Sequence, residues 1–494
     1  MKRSAGILLP ISSLPSKYGI GSLGKEAKDF VDYLSRANQS YWQILPLGPT
    51  SYGDSPYSAL SAFAGNPYFI DLDELNKEGL LKKNDYKHLI KDYKEVDYAY
   101  LFETRFKVLK IAVNNLIKKD KKKLEAFIKK EKDWLDDYAL YMAIKDKLGG
   151  KEVEKWPLKL RLRDKEELSK QGELLKEEIL FYEGIQYLFF KQWNVLKKYA
   201  NSKGIKIIGD IPIYIARDSA DIWANPKQFQ LDKKGKPKKV AGVPPDYFTK
   251  EGQLWGNPVY DWSYMKKDNY KWWIARIKQQ FRFYDVIRLD HFRGFEAYYT
   301  ISPKAKNAIV GKWEKGPDIS LFKAIHKELG KKEIIAEDLG FLTDKVYKLL
   351  EETGYPGMVV LEFAFDPNDR SGKYLPHSHK ENSVEYLGTH DNDTIMGWKK
   401  LAPKTHINKA KEYFNIKNGE PFNWGMIKGA YSSPSKLVII QFQDVVGLGI
   451  EARINTPATL GNNWKWMAQK EMFKTSDIQK LKKLTYLYHR ERRD

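Results

Sequence analysis

Short apolar runs that end in a polar or glycine-containing turn recur along the chain, and they constrain its fold more than any other feature. In order, these runs occupy residues 5–9, 42–45, 205–208, 286–289, 333–335, 358–363, 384–387 and 437–441. Most are separated by segments of helix length, which is the spacing of parallel strands joined by crossover helices. The pattern predicts an α/β protein, a single (β/α)8 TIM barrel over residues 1–494.

Two gaps between the predicted strands are too long for a simple crossover and indicate insertions. Apolar residues recur near helical spacing over residues 71–200, so we predict a large, mostly helical insertion there. Residues 215–275 are instead rich in Pro, Gly and aromatic side chains, including Gly242, Pro244 and Trp255. This composition predicts an ordered, loop-rich insertion that acts as a lid.

Composition excludes several classes of function and site. The formal charge of +21 comes from lysines scattered among Glu and Asp rather than clustered on one face, which argues against nucleic-acid or membrane partners. The chain has no cysteine, so disulfides, thiolate metal sites and a cysteine nucleophile are ruled out. No run has the length of a membrane helix, and the short apolar start lacks a cleavage pattern. We expect a cytoplasmic protein; its oligomeric state is open, with a monomer favoured.

Four of the predicted strands end at acidic residues, where a barrel enzyme carries its catalytic groups. These residues are Asp210, Asp290, Glu337 and Asp391. Each one alone is better explained as a cap of the following helix. Four acids on four strand ends of one barrel favour an active site.

The residues around two of these acids suggest different protonation states. Arg288 and Asp290 point to the same side of their strand, so we expect the guanidinium to keep this carboxylate ionised. Glu337 follows an apolar stretch, which predicts a raised pKa and a carboxyl that carries a proton. One charged and one protonated acid are what glycosidic cleavage with retention requires. His291 and the pair His390 and Asp391 would then hydrogen-bond sugar hydroxyls.

These motifs and several other segments resemble the amylomaltase family of disproportionating enzymes, which is related to the α-amylases. The resemblance covers nearly the whole chain, and the matching segments begin at Gly6, Ser13, Trp42, Asp54, Gly242, Gly252 and Asn455, besides the four acidic motifs. The last segment departs from the family pattern at Ala458, where Gly is expected, and at Met467, where Arg is expected.

The resemblance implies a role for each candidate residue. Asp290 would be the nucleophile, Glu337 the general acid and base, and Asp391 the third carboxylate that strains the bound sugar ring. The residues implied to bind substrate are Arg288, His291, His390, Asp210, Asp246, Tyr57, Gln253 and Trp255. The family has no C-terminal β-domain and needs no metal, so we expect neither here, and no cofactor.

The resemblance implies a 4-α-glucanotransferase that moves a segment of an α-1,4-glucan to the 4-OH of glucose or a maltooligosaccharide. An α-glucan hydrolase with the same carboxylates is the alternative, and it would differ in its lid and acceptor site. A catalytically silent glycan-binding protein is disfavoured, because nothing would retain the nucleophile, the acid and the third carboxylate together.

Overall fold

The computed structural model describes residues 2–51, 53–245, 249–340 and 342–492. The strands in chain order are β1 (Ser4–Leu8), β2 (Tyr41–Gln43), β3 (Lys206–Ile211), β4 (Val240–Val243), β5 (Gln253–Pro258), β6 (Val286–Leu289), β7 (Ala297–Ile301), β8 (Gly311–Lys315), β9 (Ile334–Ala336), β10 (Gly357–Val360), β11 (Ser383–Tyr386) and β12 (Leu437–Gln441).

Within the described residues, eight of these strands form one parallel sheet in the order β10-β11-β12-β1-β2-β3-β6-β9. The two outer strands approach each other, because the Ala336 N–H donates to the Pro356 carbonyl at 2.9 Å. The sheet therefore closes into the predicted (β/α)8 barrel, and each predicted strand is found within a few residues of its expected bounds. Because the eight strands are parallel, their carboxyl ends lie at one mouth of the barrel.

Helices surround and extend the barrel. They are α1 (Lys25–Arg36), α2 (Leu72–Lys77), α3 (Lys83–Tyr86), α4 (Tyr98–Lys147), α5 (Leu158–Arg161), α6 (Lys165–Leu174), α7 (Lys176–Ser202), α8 (Ala220–Ala224), α9 (Trp262–Lys267), α10 (Lys271–Phe283), α11 (Ile319–Leu329), α12 (Asp344–Thr353), α13 (Ile395–Leu401), α14 (Lys404–Tyr413), α15 (Phe422–Ser432), α16 (Phe442–Val446) and α17 (Thr475–Leu487). Among the described residues, no helix combines the length and the apolar character needed to cross a bilayer.

The segment 71–200 is mostly helical, and its two long helices pack together. α4 is interrupted at Asp120, whose φ of −138° and ψ of 37° leave the helical region. Aromatic side chains join α4 to α7, with Trp134 and Phe190 at a ring distance of 5.9 Å. Trp193 of α7 donates from its indole to the Phe283 carbonyl of α10 at 3.1 Å, which ties this helical layer to the barrel wall.

A second, antiparallel sheet that the sequence pattern did not reveal lies beside the barrel. Among the described residues its strand order is β5-β4-β7-β8. Gly242 pairs with both Leu254 and Tyr299, and a Cβ at this glycine would lie 2.3 Å from the Gln253 carbonyl oxygen, so the close strand approach requires glycine. The segment 215–275 therefore contains paired strands and short helices as well as loops. Its function as a lid stays a prediction.

Candidate active site

The four acidic residues singled out in the sequence lie at the mouth of the barrel. Asp210 is within β3, Asp290 and Glu337 directly follow β6 and β9, and Asp391 lies in the turn after β11. Asp290 and Asp391 are packed among protein groups, yet their side chains remain 27% and 43% exposed, so a ligand in the mouth can reach both.

Arg288 is the buried centre of an ion-pair chain across β3 and β6. Its Nη1 donates to both carboxylate oxygens of Asp210 at 2.8 and 2.7 Å, and to Oδ1 of Asp290 at 2.9 Å. The Tyr57 hydroxyl donates to Oδ2 of Asp210 at 2.6 Å. On its other side, Arg288 donates from Nε to the Met358 thioether at 3.3 Å. These bonds fix the guanidinium between the two carboxylates.

The sequence predicts that Arg288 keeps Asp290 ionised, and in the structure other groups partly oppose this effect. The guanidinium is in hydrogen-bond contact, as the alternation of the strand predicts. Burial nevertheless raises the pKa of Asp290 to about 6. The negative charges of Asp210 and Asp391 also raise this pKa, and together with burial they outweigh the lowering by Arg288. Asp290 is therefore ionised at neutral pH, but the neighbouring acids bring its pKa close to neutral.

Glu337 has the raised pKa that its apolar approach predicts. Burial, together with the negative charge of Asp290, raises the pKa of Glu337 to about 8. Backbone N–H groups of His291 and Leu339 donate to its Oε2 and Oε1 at 2.6 and 3.1 Å. The carboxyl is thus held in one orientation, and at neutral pH it carries a proton while Asp290 carries a charge.

Asp391 is held ionised by its neighbours. Burial alone would raise its pKa, but the charge of His390 and hydrogen bonds from His390 and Asn455 hold the pKa of this carboxyl well below its usual range. Asn455 Nδ2 lies 2.6 Å from Oδ1, and His390 Nε2 lies 3.3 Å from Oδ2. The two acids after β9 and β11 therefore have opposite protonation states.

Aromatic rings enclose the site on the β2 side. Tyr57 stacks on His390 at a ring distance of 5.1 Å and an interplanar angle of 13°. Trp464 lies 5.8 Å from Tyr57 and 6.2 Å from His390. Its φ of 65° is in the left-handed region, which bulky side chains avoid unless their surroundings enforce it.

The antiparallel sheet brings two more predicted residues to the mouth. Trp255 of β5 makes an edge contact with His291 at 4.9 Å and donates from its indole to the Gln253 side chain at 3.1 Å. Burial and the nearby Arg293 lower the pKa of His291 to about 4, so its ring is neutral at neutral pH. His291 has a φ of 50°, a strained conformation of the kind found at functional sites. The predicted residue Asp246 lies outside the described residues.

Three further residues belong to this arrangement but were not assigned from the sequence. They are Asn455, Arg453 and Trp464, all on the segment after β12. The resemblance at Asn455 marked this segment, but its pairing with the turn after β11 is a contact between distant parts of the chain that local pattern does not reveal.

Comparison with known proteins agrees with this geometry. A sequence model of the family described as 4-alpha-glucanotransferase matches residues 9–472. A 4-alpha-glucanotransferase of Clostridium butyricum is 50% identical over 484 residues, which are 97% of this chain and 99% of that protein. The protein of that name from Thermus thermophilus is 42% identical, covering 94% and 95%.

Solved structures give the same result. An amylomaltase from Streptococcus agalactiae, in complex with acarbose, superposes with a TM-score of 0.97 at 41% identity, over 99% of this chain and 100% of that one. Since the family model and the relatives cover nearly the whole length, the chain belongs to the 4-alpha-glucanotransferase family.

Proposed function

We propose that this 4-α-glucanotransferase uses Asp290 as its nucleophile, Glu337 as its general acid and base, and Asp391 as the carboxylate that stabilises the strained sugar ring. The enzyme acts with retention through a double displacement, as its family does. The single observation that supports these assignments is the contrast between the two carboxyls: the Arg288 guanidinium donates to Oδ1 of Asp290 at 2.9 Å, whereas burial and the charge of Asp290 raise the pKa of Glu337. At neutral pH this contrast favours one anionic and one protonated carboxyl in the same site.

In the first step, a carboxylate oxygen of Asp290 attacks the anomeric carbon of an α-1,4-glucan. Arg288 binds Oδ1 of Asp290, so we assign the attack to Oδ2. As the glycosidic bond breaks, Glu337 gives its proton to the departing 4-oxygen. The products are a glycosyl ester on Asp290, an ionised Glu337 and a free shorter glucan.

In the second step, the 4-OH of an acceptor glucose or maltooligosaccharide takes the place of the leaving group. Glu337 removes the hydroxyl proton, the acceptor oxygen attacks the anomeric carbon, and Asp290 departs as a carboxylate. Two inversions at the same carbon retain the α configuration. Glu337 ends protonated, so the cycle restores both acids.

The other residues of the site would bind and orient the sugar. Asp391 offers a partly exposed carboxylate, we assign its buried neighbour His390 to the same sugar contacts, and Tyr57 and Arg288 hold Asp210 in place. A neutral His291 can donate and accept hydrogen bonds, and Trp255 offers a ring face for stacking. We assign Gln253 to substrate contacts on the same side, and we assign Asp246 to substrate contacts because the sequence resemblance implies that role.

Transfer instead of hydrolysis requires that a sugar reach the glycosyl ester before water does. We propose that the segment 215–275 is the lid that favours the sugar, because β5 brings Gln253 and Trp255 next to His291 at the mouth. We further propose that the enzyme is a cytoplasmic monomer acting on α-glucans and maltooligosaccharides, without nucleic-acid or membrane partners.

Incubation with maltotriose tests the function. A transferase converts it to glucose and a ladder of longer glucans while total reducing ends stay nearly constant, as product sizing and a reducing-end assay would show. Steady growth of reducing ends without longer products would favour the hydrolase instead. The Asp290→Ala variant is the control, because any products that it still gives do not come from the proposed active site.

A further inference from the structure

Arg453, on the segment after β12, binds the backbone of two residues of the site at once. Its Nε donates to the Asn455 carbonyl and its Nη2 to the Asp391 carbonyl, both at 2.8 Å. Asn455 and Asp391 are also joined through their side chains, with Nδ2 and Oδ1 2.6 Å apart. The three residues therefore form a closed ring of hydrogen bonds between the turn after β11 and the segment after β12.

The guanidinium group is suited to this connection. Its donors are fixed in one plane, so binding two carbonyls sets the separation of the two backbone segments. Nη1 lies 3.8 Å from Oδ2 of Asp393, which adds an ionic attraction to the same turn. The Arg453 side chain is only 24% exposed, so water competes little with these bonds. A lysine ammonium is a point charge and would not hold both carbonyls in the same geometry.

The chain beyond Arg453 returns to the site. Trp464 donates its backbone N–H to the Ile454 carbonyl at 2.8 Å, next to Arg453, and its ring lies against Tyr57 and His390. Trp464 also has the positive φ described above, which the surrounding contacts must maintain. Arg453 thus anchors the start of a segment whose end forms part of the wall of the site.

We propose that Arg453 is a positioning residue for the transfer reaction, which fixes Asp391 against the sugar ring through the Asp391 backbone and Asn455. The proposal rests on the proposed function, in which Asp391 is the third carboxylate. Arg453 binds the backbone carbonyls of Asp391 and Asn455 and not the Asp391 carboxylate. Its effect on the reaction is therefore indirect, through the position of Asp391. Misplacement of a catalytic group by about 1 Å can cost roughly 100-fold in rate.

The experiment measures kcat and KM for maltotriose in Arg453→Met, Arg453→Lys and Arg453→Ala, with the exposed Arg36→Met as a matched control. We expect Arg453→Met to lower kcat by about 10- to 100-fold while KM changes little, because a transition-state interaction is disturbed. Arg453→Lys should recover only part of the loss, and added guanidinium at millimolar concentration should raise the kcat of Arg453→Ala. Arg36→Met should match the wild type.

A double variant separates positioning from general structural support. In an Asp391→Asn background, adding Arg453→Met should cause no further loss of kcat, because the residue through which Arg453 acts is already disabled. An equal extra loss in that background, or a reduced melting temperature with wild-type kcat in Arg453→Met, would overturn the proposal. If Arg453→Met does not fold, the same cycle is run with Arg453→Lys. The proposed function is judged separately, since it fails if the wild type only hydrolyses maltotriose or if Asp391→Asn alone retains wild-type turnover.

Discussion

The carboxyl of Glu337 accepts a hydrogen bond of 2.6 Å from the backbone N–H of His291, the residue that follows Asp290. The two residues are 46 positions apart in sequence and lie after neighbouring strands. This contact joins Glu337, the proposed general acid, to the turn that carries Asp290, the proposed nucleophile. The contact fixes the Glu337 carboxyl relative to this turn, and the protonation states of Glu337 and Asp290 are coupled through their charges.

The pH dependence of kcat/KM should be bell-shaped. The active form has an ionised Asp290 and a protonated Glu337, so activity should rise as pH increases through about 6 and fall as pH increases through about 8. Because the two acids interact, the two limbs belong to the pair. Initial rates at low maltotriose concentration would measure the profile. A flat profile from pH 5 to about 9 would contradict these protonation states.

The barrel could be predicted from sequence because its strands are buried on both faces and appear as short apolar runs. All eight predicted strands are confirmed. The antiparallel sheet could not be predicted from sequence, because β5 contains Gly256 and Pro258, which are typical of loops, and because β4 pairs with the distant β7. Pairing between remote segments leaves no local periodicity.

The candidate site, like the fold, could be predicted only in part, because local sequence pattern does not show contacts between distant segments. Acids at strand ends could be recognised because a barrel gathers those ends at one mouth. The contact of Arg453 with the Asp391 backbone could not be predicted, because it joins two residues that are 62 positions apart in the sequence. The raised pKa of Asp290 does not follow from Arg288 alone, because burial and the charges of Asp210 and Asp391 also act on this carboxyl.

Asp444 should make the folded state less stable as pH rises. It is fully buried, its Oδ1 accepts from the Ile395 N–H at 2.7 Å, and burial together with Asp393 raises its pKa to about 7. A raised folded-state pKa gives a contribution that is complete below the unfolded pKa, near 4, and is lost as pH increases through about 7. Asp444→Asn keeps the acceptor and removes the charge.

We therefore expect Asp444→Asn to raise the free energy of unfolding at pH 8 by roughly 1–4 kcal/mol and to change it little at pH 4. Urea denaturation at the two pH values measures this difference. The exposed Asp29→Asn, on α1, is the matched control for replacing an aspartate by asparagine at a solvent-exposed position. Equal effects of Asp444→Asn at both pH values would show that titration of Asp444 is not the cause.

The folded protein should be more stable when glycine replaces Ala458. Its φ of 62° is in the left-handed region, where a Cβ costs about 1–2 kcal/mol, and the side chain is exposed, so its removal loses little packing. Glycine also loses more backbone entropy on folding, by roughly 0.5–1 kcal/mol. The net expectation for Ala458→Gly is a gain of about 0.5 kcal/mol. Ala402, with a φ of −67°, is the control, and Ala402→Gly should destabilise. Melting temperatures of both variants measure the contrast, and a loss of stability in Ala458→Gly would contradict it.

The two carboxyls can be separated by trapping the intermediate. In Glu337→Gln the amide can neither protonate a leaving group nor deprotonate an acceptor. An α-maltosyl fluoride donor needs little acid assistance, so it should still form the ester on Asp290, whereas release of that ester lacks its base. Intact-protein mass spectrometry should show one added maltosyl unit, and peptide mapping should locate it on Asp290.

Azide tests the same trapped species, because it is a nucleophile that needs no general base. It should discharge the ester from Glu337→Gln and give a glycosyl azide of retained α configuration, since Asp290 and azide each invert the anomeric carbon once. The double variant Glu337→Gln, Asp290→Ala is the control and should take up no label. A label on Asp391 or Asp210, or an azide product of inverted configuration, would refute the assignment of Asp290 even if the enzyme transfers glucans. If the label is found on Asp290 and azide releases it, Asp290 is the nucleophile. Glu337 is then the acid and base, and Asp290 is the anionic member of the coupled pair.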